Sequence, residues 1–217
     1  MLGKDDVLVG SLRVKQQPIG LIAEEQGDVF EDLAFDGIVG LGFPAKAAHN
    51  STPFVDSLMQ QQLLAANEFS FYFFPERIQG GAVLWGGHND RLFRKPMRWF
   101  PVVGHDHWAL DLVAFRVGNK SFEVERAERS DGSAPKLRGT IQTRSKRRDT
   151  QEFNPLLIVD SGTTLFSAMG AVYDAVFEAT YPVPCHQVGT LPPLVYTIAD
   201  YQGNLREIIV QPQEYMV

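Results

Sequence analysis

The chain has 217 residues, of which 44% are hydrophobic and 21% charged, enough for one large domain or two small ones around apolar cores. That excludes a disordered tail, and no apolar run approaches the roughly 18 residues of a membrane-spanning helix. The net charge of −6 argues against nucleic acid as the main partner, and a single cysteine, Cys185, excludes a disulfide framework or a cysteine-rich metal site within this chain.

The opening MLGKDDVLVG has neither the basic front and apolar stretch of a signal peptide nor the Arg-rich look of a transit peptide. The expectation is that the chain is untargeted or lacks its natural N-terminus. Apolar runs rich in Val, Ile, Phe and Tyr then predict strands at Val7–Val14, Glu68–Phe74, Ala82–Trp85, Trp99–Val103, Trp108–Val117, Leu156–Val159, Leu194–Ile198 and Leu205–Val210. In the run from Trp108 to Val117, alternation predicts that Trp108, Leu110, Leu112, Ala114 and Arg116 share one face. Turns are expected at Gln79–Gly81, Gly86–Asp90 and Tyr201–Asn204, where glycine and asparagine tolerate positive φ.

Two short helices break this pattern. Thr52 is expected to cap one begun by Pro53, with Phe54, Leu58 and Met59 on one face. The other follows Ser167, with Met169, Val172, Val176 and Phe177 at helical spacing, and ends before Pro182. The fold class is therefore all-β. Between Glu123 and Glu152 the sequence is polar, without apolar period, and reads as a surface loop or disordered insertion. Six cations and no acid lie between Lys136 and Arg148, so the remainder carries −12. A processing site at Lys146–Arg148 or a basic docking patch is the functional reading of that run, and a solvated insertion the plainer one.

The most informative segment is LLIVDSGTTLFS, Leu156 to Ser167. Four apolar residues deliver Asp160 from a buried strand into a turn of small and hydroxylated residues, Ser161, Gly162, Thr163 and Thr164. Gly162 permits close approach to the carboxylate, and hydroxyls and amides can bond its oxygens, holding it still and favouring its ionised form. Read alone, the triplet also fits a plain chain turn after a strand. The HDH triplet at His105–His107 lacks further metal ligands at a useful spacing, and GGHND lacks the helix and lysine of a phosphate loop.

LIVDSGTTLF resembles the active-site motif of pepsin-like aspartic proteases, and FDGIVGLGFP at Phe35–Pro44 is similar to that family's first-lobe segment beneath the catalytic loop. PFVDSLMQQQLL, EFSFYFF, GGAVLWGGHND, HWALDLVAFRVGN and LPPLVYTIADYQGNLREIIV follow in the family's order. The resemblance implies a bilobal all-β fold, incomplete at both ends, with the back part of the first lobe over 1–103. The front part of the second lobe would occupy 104–217, with the surface insertion at 123–152.

Since the FDG segment comes first, Asp160 matches the second-lobe catalytic aspartate, and this sequence contains no other D-S/T-G. The resemblance implies that Ser161 locks the catalytic loops together while Gly162 and Thr163 orient the carboxylate. Thr164 would sit near the substrate, Phe35 and Ile38 would line the pocket beside the scissile bond, and His107 would face the cleft on the leaving-group side. It also implies an endopeptidase acting on peptide or protein substrates at bonds flanked by apolar residues, without metal or cofactor. The expected chemistry needs a second aspartate, so this chain alone is expected to be inactive. A homodimer, as in retroviral-type proteases, is disfavoured because pieces of two lobes cannot regenerate a symmetric site.

Cys185 matches the first cysteine of a second-lobe disulfide of this family. Its partner is expected outside this chain, implying an oxidising secretory route to the exterior or to an acidic vacuole or lysosome-like compartment. The competing class is a non-catalytic β-rich binding protein on the same fold, and an incomplete gene model would leave the family reading unchanged.

Overall fold

The computed structural model describes residues 1–24, 35–74, 80–125, 138–142, 150–152, 156–163, 165–168, 170–181 and 183–216. It is mostly strand, as the sequence predicts, and divides into two compact units: 1–97 with 105–107, and 98–104 with 108–217.

In the first unit, β1 (Leu2–Val9) and β2 (Leu12–Gly20) form an antiparallel hairpin. The single strand expected over Val7–Val14 is thus two strands. Val9 pairs with Leu12 across a two-residue loop whose first residue, Gly10, has φ 58°, the place such a turn assigns to glycine. Further along, the ladder is irregular: Gln16 has φ 53°, and its N–H is taken up by Asp6 Oδ1 at 3.0 Å. Helix α1 (Phe54–Gln60) lays Phe54, Ser57 and Leu58 inward, the i, i+3, i+4 pattern of a core-facing stripe. Phe54 and Leu58 pack with Val14 against Val7, Val9, Leu12, Leu41, Leu63, Leu64 and Trp85. Pro53, not Thr52, is the N-cap, and no side chain caps the helix. The Thr52 carbonyl instead accepts from Gln17 Nε2 at 3.0 Å. β3 (Phe69–Phe73) and β4 (Gly81–Trp85) form a second antiparallel hairpin.

The second unit is built on β5 (Ala109–Val117), β6 (Lys120–Glu125), β7 (Arg138–Gln142), β8 (Thr150–Glu152), β9 (Leu156–Ile158), β10 (Leu194–Ala199) and β11 (Leu205–Val210). They pair antiparallel in the order β11-β10-β5-β6-β7-β8, with β9 also on β5. One edge of β5 serves two partners: β9 along Ala109–Asp111 and β6 along Ala114–Val117. Between these stretches the register against β10 slips, so that Thr197 faces Ala114 while Ile198 faces Leu112. This bulge overturns the strict alternation expected of the strand. It brings Leu112 onto the core that holds Phe115 and Val117, while Arg116 stays exposed.

The expected strand Trp99–Val103 reduces to an isolated bridge between Val102 and Leu110 and the bonds from Val103 N to Ala109 O and from Tyr201 N to Trp99 O, each at 2.8 Å. Pro101 has no N–H to extend a ladder there. The stretch Glu123–Glu152, expected as a loop, carries the end of β6 and all of β7 and β8. Strand pairing is a backbone interaction, so a polar edge ribbon forms without apolar alternation. The run Lys146–Arg148 lies outside the described residues.

Helix α2 (Gly170–Thr180) covers the core of Phe115, Val117, Phe122 and Leu194 with Ala175, flanked by Ala171, Val172, Val176 and Ala179. Phe177, expected beside Val172 and Val176, lies on the outer face, since a five-residue step from Val172 turns the helix about 140°. It stacks between Tyr173 at 5.9 Å and Tyr181 at 4.6 Å. Met169 and Pro182 lie outside the described residues.

The β10–β11 turn is organised by the buried Asp200. Its carboxylate accepts from Gln202 N at 3.0 Å, Asn204 N at 2.8 Å and Arg206 Nε at 2.9 Å. Burial pushes this carboxyl up, but the bonds from Arg206, Asn204 and Gln202 outweigh it and hold it below its ordinary value. A carboxyl so lowered adds stability that is complete above the unfolded value of 3.8 and is lost as pH falls through the folded one. The Gln202 and Asn204 amides should therefore lose hydrogen-exchange protection on acidification below that value, and Asp200→Asn should remove the dependence. A wild-type profile that stays level through this range would contradict the assignment.

Candidate active site

Asp160 sits where β9 ends. The ladder to β5 runs Ile158–Ala109, Leu157–Leu110 and Leu156–Asp111, and one further bond, Val159 N to Trp108 O at 2.9 Å, carries it to the residue before the aspartate. The chain then turns through Ser161 and Gly162. Asp160 Oδ1 accepts the Gly162 N–H at 2.9 Å, and Oδ2 accepts the Thr163 hydroxyl at 2.5 Å. Each carboxylate oxygen is thus bonded from within its own turn, which fixes the side chain at the rim of a β-strand. A Cβ on residue 162 would come within 3.2 Å of Asp160 Oδ1, tighter than ordinary packing, so glycine is what admits this close approach.

The strand leading to Asp160 is less enclosed than its apolar sequence suggests. Ile158 and Val159 are exposed, as are Asp160 to Thr163, Leu165 and Phe166. Among the described residues β9 has a strand partner on one side only, so its outer side chains are left to solvent. Asp160, Ser161, Gly162 and Thr163 thus share one turn, while Thr164 lies outside the described residues.

Phe35, Ile38 and His107 belong to the first unit. Phe35 is half exposed and Ile38 is 77% exposed, in a segment without regular strand or helix. His107 Nδ1 lies 3.1 Å from Asp106 Oδ2, and Lys46 Nζ lies 3.9 Å from the same oxygen. Burial pushes the Asp106 carboxyl up, but the hydrogen bond and charge of His107, with Lys46 beyond, bring it below the usual carboxylate range. The sequence reading missed Asp106 as the partner of His107. Their adjacency was the available signal, but adjacent side chains often diverge. Cys185 opens a short 3-10 helix, Cys185–Thr190, and its thiol is exposed. Among the described residues no three His, Cys, Asp or Glu side chains gather as metal ligands, and no helix is long and apolar enough to cross a membrane.

A fixed carboxylate in a hydroxyl-lined turn can accept a proton from water or bear one. Comparison with known proteins bears on which chemistry this is. Residues 1–216 match the family model of eukaryotic aspartyl proteases. Pregnancy-associated glycoprotein 2 of Bos taurus is 29% identical over 217 residues, 100% of this chain and 50% of its own length. Plasmepsin VI of Plasmodium berghei is 28% identical over 222 residues, 99% of this chain and 45% of its own. Pepsin A of Gallus gallus is 37% identical over 120 residues, 55% of this chain and 33% of its own. The chain spans half or less of the length of these relatives.

Proposed function

Because the chain belongs to the eukaryotic aspartyl protease family, we propose that it carries the second-lobe half of a two-aspartate peptidase site, with Asp160 as one catalytic carboxylate. The observation that supports this most is the bonding of both Asp160 oxygens within its turn, by Gly162 N and Thr163 Oγ1. In this reading residues 1–103 belong to the first lobe and 104–217 to the second.

Two carboxylates close together share a proton, because two negative charges at that separation are costly. The ionised one takes a proton from water as its oxygen adds to the peptide carbonyl carbon, and the other gives its proton to the carbonyl oxygen. The C–N bond then breaks as the carboxyl that took the water proton gives it to the amine nitrogen, while the other carboxylate takes a hydroxyl proton from the intermediate and so restores the shared-proton pair. The family resemblance assigns Ser161 to locking the catalytic loops together and Gly162 and Thr163 to orienting the Asp160 carboxylate, and it assigns Thr164, Phe35, Ile38 and His107 to contact with the substrate. The substrates are peptides and proteins with apolar residues around the cut.

One Asp160 per chain cannot perform this exchange, so the isolated chain is inactive. Incubating it with an unstructured protein at acid pH should give no cleavage beyond that of Asp160→Asn. Cleavage that the substitution removes would overturn the claim. Reading the encoding transcript around this chain tests the enzyme class: an intact first-lobe D-S/T-G supports it, and an altered triplet would replace it with a binding protein. The same proposal places the natural protein in the secretory pathway, with Cys185 in a disulfide to a cysteine outside this chain.

A further inference from the structure

We propose that Asn119, at the tip of the β5–β6 hairpin, is an N-glycosylation site of the natural protein. The inference rests on the secretory reading above, because the transferring enzymes act inside that route.

Two triplets of the sequence have the acceptor pattern of asparagine, any residue but proline, then serine or threonine: Asn50-Ser51-Thr52 and Asn119-Lys120-Ser121. The pattern is informative only where folding leaves the asparagine on a surface turn, since a bulky, hydrated sugar chain cannot be enclosed. Asn119 meets that condition. Val117 of β5 pairs with Lys120 of β6 across a two-residue turn, Gly118 and Asn119, and both turn residues are exposed. Gly118 takes φ 58°, the left-handed first position of such a turn. The Lys120 ammonium binds Glu178 of α2, so the middle residue of the triplet is held against the helix while the asparagine stays at the tip. Asn50 is exposed as well, but Pro53 directly follows its hydroxyl residue. That ring restricts Thr52 covalently, in the unfolded chain as in the folded one. Sugar transfer takes place while the chain is being made, so the restriction handicaps Asn50 and not Asn119, whose turn forms later.

In the transfer, Nδ2 of Asn119 bonds to the anomeric carbon of a lipid-diphosphate-linked oligosaccharide. The bond from that carbon to the diphosphate oxygen breaks, and one amide proton passes to solvent as the lipid diphosphate leaves. The Ser121 hydroxyl, two residues on, is the group by which the transferase recognises the acceptor. β5 separates this turn from the aspartate turn. Its Val117 end adjoins Asn119, and its Ala109 end, about 25 Å away at the rise of a strand, pairs with Ile158 of β9. The sugar chain therefore leaves Asp160 accessible.

Peptide mapping of the natural protein, expressed from its whole transcript in eukaryotic cells, tests this. Chymotrypsin cuts after Phe115 and Phe122, and mass spectrometry reads the peptide 116–122 before and after enzymatic removal of N-glycans. Sugar should be found on Asn119 and should be lost in Asn119→Gln and in Ser121→Ala, which keeps the asparagine. Sugar that persists on this peptide in either variant overturns the inference. A bare Asn119 in protein recovered from the secretory lumen also overturns it and leaves the secretory reading standing. Protein found only outside that lumen overturns the secretory reading instead, and a signal peptide added to the same protein then decides the site: sugar on Asn119 supports it, and a bare Asn119 overturns it.

Discussion

Replacing Asp160 by Asn, in a protein that also carries the partner aspartate, should lower kcat by about 10²–10⁴-fold, the range associated with losing a positioned acid–base group. The substitution leaves shape almost unchanged. An asparagine oxygen can still accept the Gly162 N–H that Oδ1 accepts at 2.9 Å, and the Thr163 hydroxyl can rotate to accept from the new amide. The amide cannot take a proton from water or hold one for the carbonyl oxygen. Catalysis should fall while the urea midpoint stays near that of the parent, because the turn is exposed and its bonds are replaced. The assay is steady-state cleavage of a peptide with apolar residues on both sides of the cut. Activity retained within about tenfold of the parent would remove Asp160 from the catalytic pair.

That Asp160 could be singled out from the sequence, and its bonding partners named, has a local cause. The residues that hold the carboxylate are two and three positions away, so a turn of Gly162 and Thr163 suffices to build the contacts. The same holds for β11, whose limits Leu205–Val210 coincide with those read from the pattern, and for the Gly203 turn before it. Where the deciding contact is distant, pattern alone misleads. Leu112 alternates with Ala114 and Arg116 along the chain, yet a slip against β10, about eighty positions later, redirects it to the core. β7 and β8 have no apolar stripe because they join the sheet edge-on through their backbones. The buried state of Asp200 was likewise not legible, since its enclosure depends on Arg206 closing the turn across the β10–β11 hairpin. His88 read as a turn residue because Glu68 lies twenty positions away and meets it only when β3 and β4 pair.

The stability of the second unit, by contrast, should hinge on one ring. Phe115 is 2% exposed and is flanked by Tyr196 at 5.0 Å and Phe122 at 6.0 Å between ring centroids. It lies on β5, the strand that pairs with β6, β9 and β10 together, so its side chain anchors the core where the sheet changes partners. Phe115→Ala removes the ring and leaves a cavity that pairing along both edges of β5 keeps from collapsing, at an expected cost of about 3–5 kcal/mol. Against a typical domain stability of about 5–15 kcal/mol, that is a large share. Chemical denaturation followed by exchange at β5 and β10 amides measures it within this unit. Phe177→Ala is the matched control, the same chemical change on the outer face of α2 where the ring is 46% exposed, and should cost under about 1 kcal/mol. Because Asp160 is carried by β9 and β9 is held by β5, the cost extends to the site. In the Phe115→Ala protein, exchange at Leu157 and Val159 should accelerate together with that at Ala114 and Val117 of β5. Protection retained at β9 while β5 is lost would show that the aspartate turn does not depend on this core.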